Sequence, residues 1–250
     1  MNCMVTGVSR GIGRSIIAEL MRQGHSIWGV SRTAVPDLLE EEQGRFRHSL
    51  CDVGNSESRR RTAEEMDVAG FWPDAVILNA AVEYEEEKTA LSWEKMQEVL
   101  RINVEGALFW ISHWMDRHPR RSMQFVGISS LLALWPDADC PAYSTSKAAL
   151  SMAFRAFRLR HAEDRIAFKL LYLGPVQTSI NPRFASQLRA GWGVAKLESV
   201  ARYIANIVLF KRRFTFYYPS TIGLVCRFGY WMPDSLFERI TRQLRRSELL

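Results

Sequence analysis

Tyr143 and Lys147 stand four residues apart in Tyr143-Ser144-Thr145-Ser146-Lys147, at the start of a segment with helical patterning, so they share one helical face. That spacing has a chemical use. An ammonium beside a phenol favours the phenolate, drawing a tyrosine pKa from about 10 toward the working pH and making the hydroxyl a practical general acid or base. Alone, the pair reads more readily as a packing contact on a helix surface. A second feature opens the chain: Thr6-Gly7-Val8-Ser9-Arg10-Gly11-Ile12-Gly13. Glycines there admit a tight turn and let backbone N–H groups approach a phosphate, and a following helix adds a favourable dipole. Such a turn also serves simply to pack a helix on a sheet.

The elements that must position these residues alternate between short apolar runs and longer segments of helical period. Strands are expected at 2–6, 26–30, 46–50, 74–78, 123–128, 167–173 and 214–218, with helices at about 11–24, 56–69, 93–116, 143–163, 200–210 and 234–246. In the second helix Arg59, Arg60 and Arg61 read as a solvated face, as do Glu83 to Glu87 before the third. Strand and helix in alternation specify a doubly wound α/β fold, one Rossmann-type domain over residues 1–250 with a parallel sheet and helices on both faces. The ligand crevice of such a fold lies outside the carboxyl ends of the strands, where the glycine turn falls.

Composition narrows the function classes. At 250 residues, 47% hydrophobic and 24% charged, the chain buries enough surface to fold without a disulfide or metal staple. Cys3, Cys51, Cys140 and Cys226 are irregularly spaced with no C-x-x-C pair, which fits reduced thiols and a cytoplasmic protein. The five histidines form no ligand set, so no metal is expected. Residues 1–5 carry no basic leader, and no apolar run reaches the roughly 18–20 residues of a membrane span. The net charge of +6 is concentrated at the C-terminus, where residues 211–250 hold eight Lys/Arg against three Asp/Glu. No nucleic-acid recognition motif accompanies it, and a nucleic-acid partner is not expected.

The T-G-x-x-x-G-x-G spacing of residues 6–13 resembles that of the short-chain dehydrogenase/reductase family, and further segments follow in family order. Asp52-Val53 is similar to the family's adenine-contacting pair. Leu78-Asn79-Ala80-Ala81 resembles its N-A-G turn, with Ala81 in place of the last glycine. Ser130 precedes Tyr143 by thirteen residues, the family's interval between catalytic serine and tyrosine, and Asn103 looks like its fourth member, which orders a water linking the lysine to solvent. Leu173-Gly174-Pro175-Val176-Gln177-Thr178 resembles the P-G-x-V-x-T segment lining the nicotinamide, with Leu173 for the leading proline.

The resemblance implies hydride transfer between a nicotinamide and a carbonyl or carbinol carbon, with Ser130, Tyr143, Lys147 and Asn103 as catalytic residues. It implies cofactor contacts from Thr6, Gly7, Ser9, Arg10, Gly11, Ile12, Gly13, Arg32, Asp52, Val53, Asn79, Ala80, Tyr143, Lys147, Gly174, Val176 and Thr178. Charge then favours NADP(H) over NAD: Arg10 and Arg32 supply cations for a 2′-phosphate, and the neutral Ser31 stands where an NAD-preferring relative places a carboxylate. The alternative is a non-catalytic NADP(H)-binding sensor or interaction protein. Relatives are commonly homodimers or homotetramers. The substrate loop is expected at about 179–196, with Arg183, Phe184, Arg189 and Trp192, and Leu131, Leu134 and Trp135 are expected to add an apolar wall. This points to a hydrophobic substrate, either a lipid-like ketone or a 3-oxoacyl thioester. The basic, aromatic extension at about 211–250 suits a cap on the core, an oligomer interface or a peripheral membrane contact.

Overall fold

The computed structural model describes residues 1–35, 44–85, 92–117, 122–162, 165–177, 194–210 and 213–246. Along the chain run β1 (Asn2–Thr6), α1 (Gly11–Arg22), β2 (Ser26–Ser31), β3 (Phe46–Leu50), α2 (Ser56–Val68), β4 (Ala75–Leu78), α3 (Trp93–Leu100) and α4 (Gly106–Arg117). Then follow β5 (Met123–Ser130), α5 (Pro141–Arg160), β6 (Ile166–Leu173), α6 (Leu197–Phe210), β7 (Thr215–Tyr218), α7 (Ser220–Gly229) and α8 (Asp234–Arg246). The seven strands form one parallel sheet in the order β3-β2-β1-β4-β5-β6-β7, the doubly wound arrangement anticipated from the alternation of elements. The order reverses between β1 and β4, so the carboxyl ends of these two strands open the crevice where such sheets bind ligands.

Both faces of the sheet are buried, which is why the strands read as nearly unbroken apolar runs. In β4, Ala75 and Ile77 point into the core shared with α1 and α6, while Val76 and Leu78 point into the core shared with α2, α4 and α5. Helix starts follow local chemistry. The Asn55 side chain accepts from Ser58 N–H (2.9 Å) ahead of α2, and Pro141 occupies the opening turn of α5, where its missing N–H costs nothing. The last turn of α6 is closed by a strand residue. Lys169 Nζ donates to the carbonyls of Ile207 (2.7 Å) and Val208 (3.3 Å), placing a cation at the negative end of the helix.

Three sequence expectations give way. Arg59 is buried, donating to Val53 O (2.6 Å) and lying over the Phe109 ring (5.2 Å), because its position in α2 faces α4 and not solvent. The expected helix over 93–116 is divided: α3 and α4 are joined by a wider π turn, Arg101–Glu105. Helix α7 fills a stretch between the seventh strand and the last helix for which the sequence reading offers no element.

Candidate active site

The glycine turn is held from the neighbouring strand end. Thr6 Oγ1 accepts from the N–H groups of Asn79 (3.1 Å) and Ala80 (3.0 Å), and Asn79 Nδ2 donates back to the carbonyls of Thr6 (3.0 Å) and Gly7 (3.2 Å). Gly7 takes a left-handed φ of 75°, and a Cβ there would lie 2.8 Å from the Ala80 Cα. A Cβ at Gly13 would collide with the Gly7 carbonyl. Glycine is thus required at both places. Arg10, extended, precedes α1 without a side-chain cap, and Arg14 N–H makes the first intrahelical bond, to Arg10 O, so the N–H groups of Gly11, Ile12 and Gly13 are those that the helix start can offer to an anion.

Around this turn the other expected contact residues fall on adjacent strand ends. Gly7 N–H donates to Val30 O (2.7 Å), which brings the end of β2 beside the loop. Arg10 and Arg32 are both exposed there. Burial and a hydrogen bond to Glu98 hold the Tyr84 phenol above its ordinary pKa, and the charge of Arg32 acts on it in the opposite direction. Ser31 is buried, bonded to His48 Nε2 (2.8 Å) and Thr33 O (2.8 Å). Asp52 Oδ1 accepts from Gly54 N–H (2.9 Å), which fixes the turn after β3. A small cavity between that turn and the end of β4 is lined by Thr6, Val53, Leu78, Ala80, Asn103 and Trp110.

The second cluster lies one strand further along. Ser130 ends β5, where its Oγ accepts from Leu132 N–H (3.1 Å). Its hydroxyl also shares a hydrogen bond with the Tyr143 phenol on α5. One turn along α5, Lys147 is buried, with Nζ donating to Ile128 O (2.8 Å) and lying 5.4 Å from the centre of the Tyr143 ring. Ser129 behaves as a backbone-bonding hydroxyl, donating to Lys147 O (3.2 Å). Serine, tyrosine and lysine therefore converge at the carboxyl edge of the sheet.

The electrostatics differ from the sequence expectation. Burial, first, and the Glu83 carboxylate, second, push the Tyr143 phenol above its ordinary value of 10, and the Ser130 hydrogen bond opposes them. Burial lowers Lys147 to about 8 against the opposing pull of Glu83. The enclosed ammonium is weakened instead of dominating, so the tyrosine stays a neutral O–H donor at neutral pH.

Glu83 is the residue that sequence reasoning missed. Asn103, on the π turn, accepts from Val82 N–H (2.8 Å) through Oδ1 and donates to Val82 O (2.9 Å) and Ser146 Oγ (3.0 Å) through Nδ2. This clamp ties the segment after β4 to α5 and brings the next residue, half-buried Glu83, within electrostatic reach of Tyr143 and Lys147. An acidic run gives no sign of which carboxylate turns inward. Glu86 and Glu87 lie outside the described residues.

After β6, Gly174 N–H donates to Tyr218 O (2.8 Å), and Val176 pairs with Ala195. Thr178 and residues 179–193 of the expected substrate loop, with Arg183, Phe184, Arg189 and Trp192, lie outside the described residues. Leu131, Leu134 and Trp135 do not form an open wall. All three are buried, and Trp135 packs against Phe237 of α8 at 4.7 Å between ring centres.

Comparison with known proteins accords with this geometry. Residues 2–189 match the family model described as short chain dehydrogenase. An uncharacterized oxidoreductase of Myxococcus xanthus is 24% identical over 248 residues, covering 97% of this chain and 96% of that protein. An NADPH-dependent pterin aldehyde reductase of Arabidopsis thaliana is 28% identical over 183 residues, 71% of this chain and 75% of its own. In fold, a short-chain dehydrogenase from Streptomyces avermitilis superposes with a TM-score of 0.80 at 19% identity, covering 99% of this chain and 97% of that one. The chain belongs to the short-chain dehydrogenase family, oxidoreductases that bind a nicotinamide cofactor and act on carbinol and carbonyl groups.

Proposed function

We propose that this protein is an NADP(H)-dependent carbonyl reductase, or the alcohol dehydrogenase of the reverse direction, with Ser130, Tyr143, Lys147 and Asn103 as its working set. The observation that carries the reading is the convergence of Ser130, Tyr143 and Lys147 beside a glycine turn that requires glycine at Gly7 and Gly13. The uncapped start of α1 and the glycine cradle fit a dinucleotide pyrophosphate. Exposed Arg10 and Arg32 fit a ribose 2′-phosphate, and Ser31 offers no carboxylate to repel one. A relative named as NADPH-dependent supports the same preference.

When bound, the nicotinamide supplies or accepts the hydride. The chain's own residues handle the oxygen. In reduction, Ser130 donates a hydrogen bond to the carbonyl oxygen and Tyr143 gives it the proton, so that hydride on carbon and proton on oxygen complete the alcohol. A phenol held above its ordinary pKa is still protonated at neutral pH, as an acid in this step must be. Lys147 steadies the phenolate that remains and replaces its proton. Asn103 positions: through the Val82 clamp and Ser146 it fixes the segment carrying Glu83 against α5.

The substrate is read as a hydrophobic ketone or 3-oxoacyl thioester, and the enzyme as a homo-oligomer of the cytoplasm, where its four free cysteines suit a reducing compartment. The test is oxidation of reduced nicotinamide across 3-oxoacyl thioesters, hydrophobic ketones, aldehydes and sugars. Activity that Tyr143→Phe removes supports the reading, and activity that survives in this variant sinks it. Arg32→Glu is expected to shift preference from NADPH toward NADH by about tenfold or more, the size of one charge-assisted contact.

A further inference from the structure

Helices α7 and α8 are fastened to the body of the protein by their inner faces. Gly223 lies against the Tyr217 side chain, Gly229 against the Trp135 ring, and Phe237 on Trp135 at 4.7 Å. With those faces occupied, a second apolar face remains outside. On α7, Leu224, Val225 and Phe228 recur at helical spacing and are all exposed, Phe228 by 71%. Tyr230 and Trp231 (74% exposed) continue the face past the end of α7, and Leu236 on α8 adds to it. Six large apolar or aromatic side chains within thirteen residues exceed the scatter of single exposed hydrophobics normal to a soluble surface.

Charge indicates what covers this face. Residues 211–250 hold eight Lys/Arg against three Asp/Glu. Arg227 lies with its guanidinium 5.5 Å from the centre of the Trp231 ring, and exposed Arg239 and Arg242 stand on α8. A two-fold contact with a second copy would bring the described arginines of these helices, Arg227, Arg239 and Arg242, toward those of the other copy, at a cost in like-charge repulsion. An anionic surface complements it. Aromatic side chains with a polar edge, arginines beside them and an exposed aliphatic stripe are the mixture that seats a helix at the boundary between lipid headgroups and acyl chains. Among the described residues no helix is long and apolar enough to cross a membrane, so the contact lies in the plane of the surface.

We infer that the outer face of α7 and the start of α8 is a docking surface for an anionic lipid bilayer. The inner side of the same two helices packs on Trp135, five residues after Ser130, so docking of the outer face would hold the bilayer one helix layer away from that segment. Co-sedimentation of the full chain with large vesicles tests the inference independently of catalysis. The vesicles are phosphatidylcholine alone or phosphatidylcholine with phosphatidylglycerol, at low and high salt. The expected result is retention on the anionic vesicles at low salt, weakened by salt and reduced about tenfold or more by Phe228→Glu with Trp231→Glu, at an unchanged melting temperature. No retention at low salt, or equal retention of the variant, overturns the inference. So does light scattering that finds a dimer in solution which Phe228→Glu dissociates, because the face then belongs to a second copy.

Discussion

Two lysines in this protein are buried to nearly the same degree and pushed by burial to about the same pKa, near 8, yet they sit in regions with different work to do. Each gives its ammonium to backbone carbonyls, Lys147 to Ile128 (2.8 Å) and Lys169 to Ile207 (2.7 Å). Around Lys169 the account ends there. Its protons complete the last turn of α6, and burial is the sole cause of its shift. Around Lys147 stand a phenol, a hydroxyl bonded to that phenol and a carboxylate that reaches both. A perturbed pKa therefore marks burial, and only the company it keeps marks chemistry.

Exchanging each lysine for methionine, of similar length and without charge, separates the two regions most sharply. Lys147→Met is expected to lower kcat about 10²–10⁴-fold, the range of a positioned acid–base group. Lys169→Met should leave kcat within about twofold, since its ammonium binds the C-terminal turn of α6 and Lys169 sits four residues short of the carboxyl end of β6, where the site lies. Steady-state turnover of both purified variants decides it, and a comparable loss in the two would collapse the distinction.

A smaller effect tests the structural half of the comparison. A lysine whose folded pKa is depressed is more protonated in the unfolded chain, so its contribution to stability rises with pH between the folded value near 8 and the unfolded value near 10.5. Above pH 9 the buried thiols Cys3 and Cys226, pushed up to about 12 and about 11, act in the opposite sense. These thiols cancel when wild type is compared with Lys169→Met. Between pH 8 and 9 the wild type should gain about 1 kcal/mol on the variant, read from denaturant unfolding at the two pH values. Parallel stability curves would show that Lys169 is not held as the structure has it.

The same contrast explains what the sequence made legible. Parallel strands buried on both faces announce themselves as apolar runs, and a glycine turn or a Tyr–Lys pair four residues apart is local, so the sheet and the meeting of Ser130 with Tyr143 could be anticipated. The inward turn of Arg59, the covering of Trp135 by Phe237 and the approach of Glu83 all depend on partners distant in the chain. The π turn that sets Asn103 against Val82 escapes a 3.6-residue period because it is a single wider turn of five residues, Arg101–Glu105, between two ordinary helical stretches. The hydrogen bond between Tyr84 and Glu98 likewise joins the segment after β4 to α3, fourteen residues further along the chain.

The smallest expected effect bears on the carboxylate that most distinguishes the surroundings of Lys147 from those of Lys169. Glu83 holds both Tyr143 and Lys147 above the values they would have without it. Glu83→Gln removes the charge and keeps the shape, so both groups should fall in pKa. Reduction requires Tyr143 protonated, and kcat/KM reports the ionisation of the free enzyme, so the alkaline limb of the kcat/KM profile should move to lower pH by a fraction of a unit. The clamp between Asn103 and this segment should hold, because its two hydrogen bonds are exchanged with the Val82 backbone. A limb that stays in place, or moves upward, would leave Glu83 as one more solvated acid and return the electrostatics of the site to burial alone.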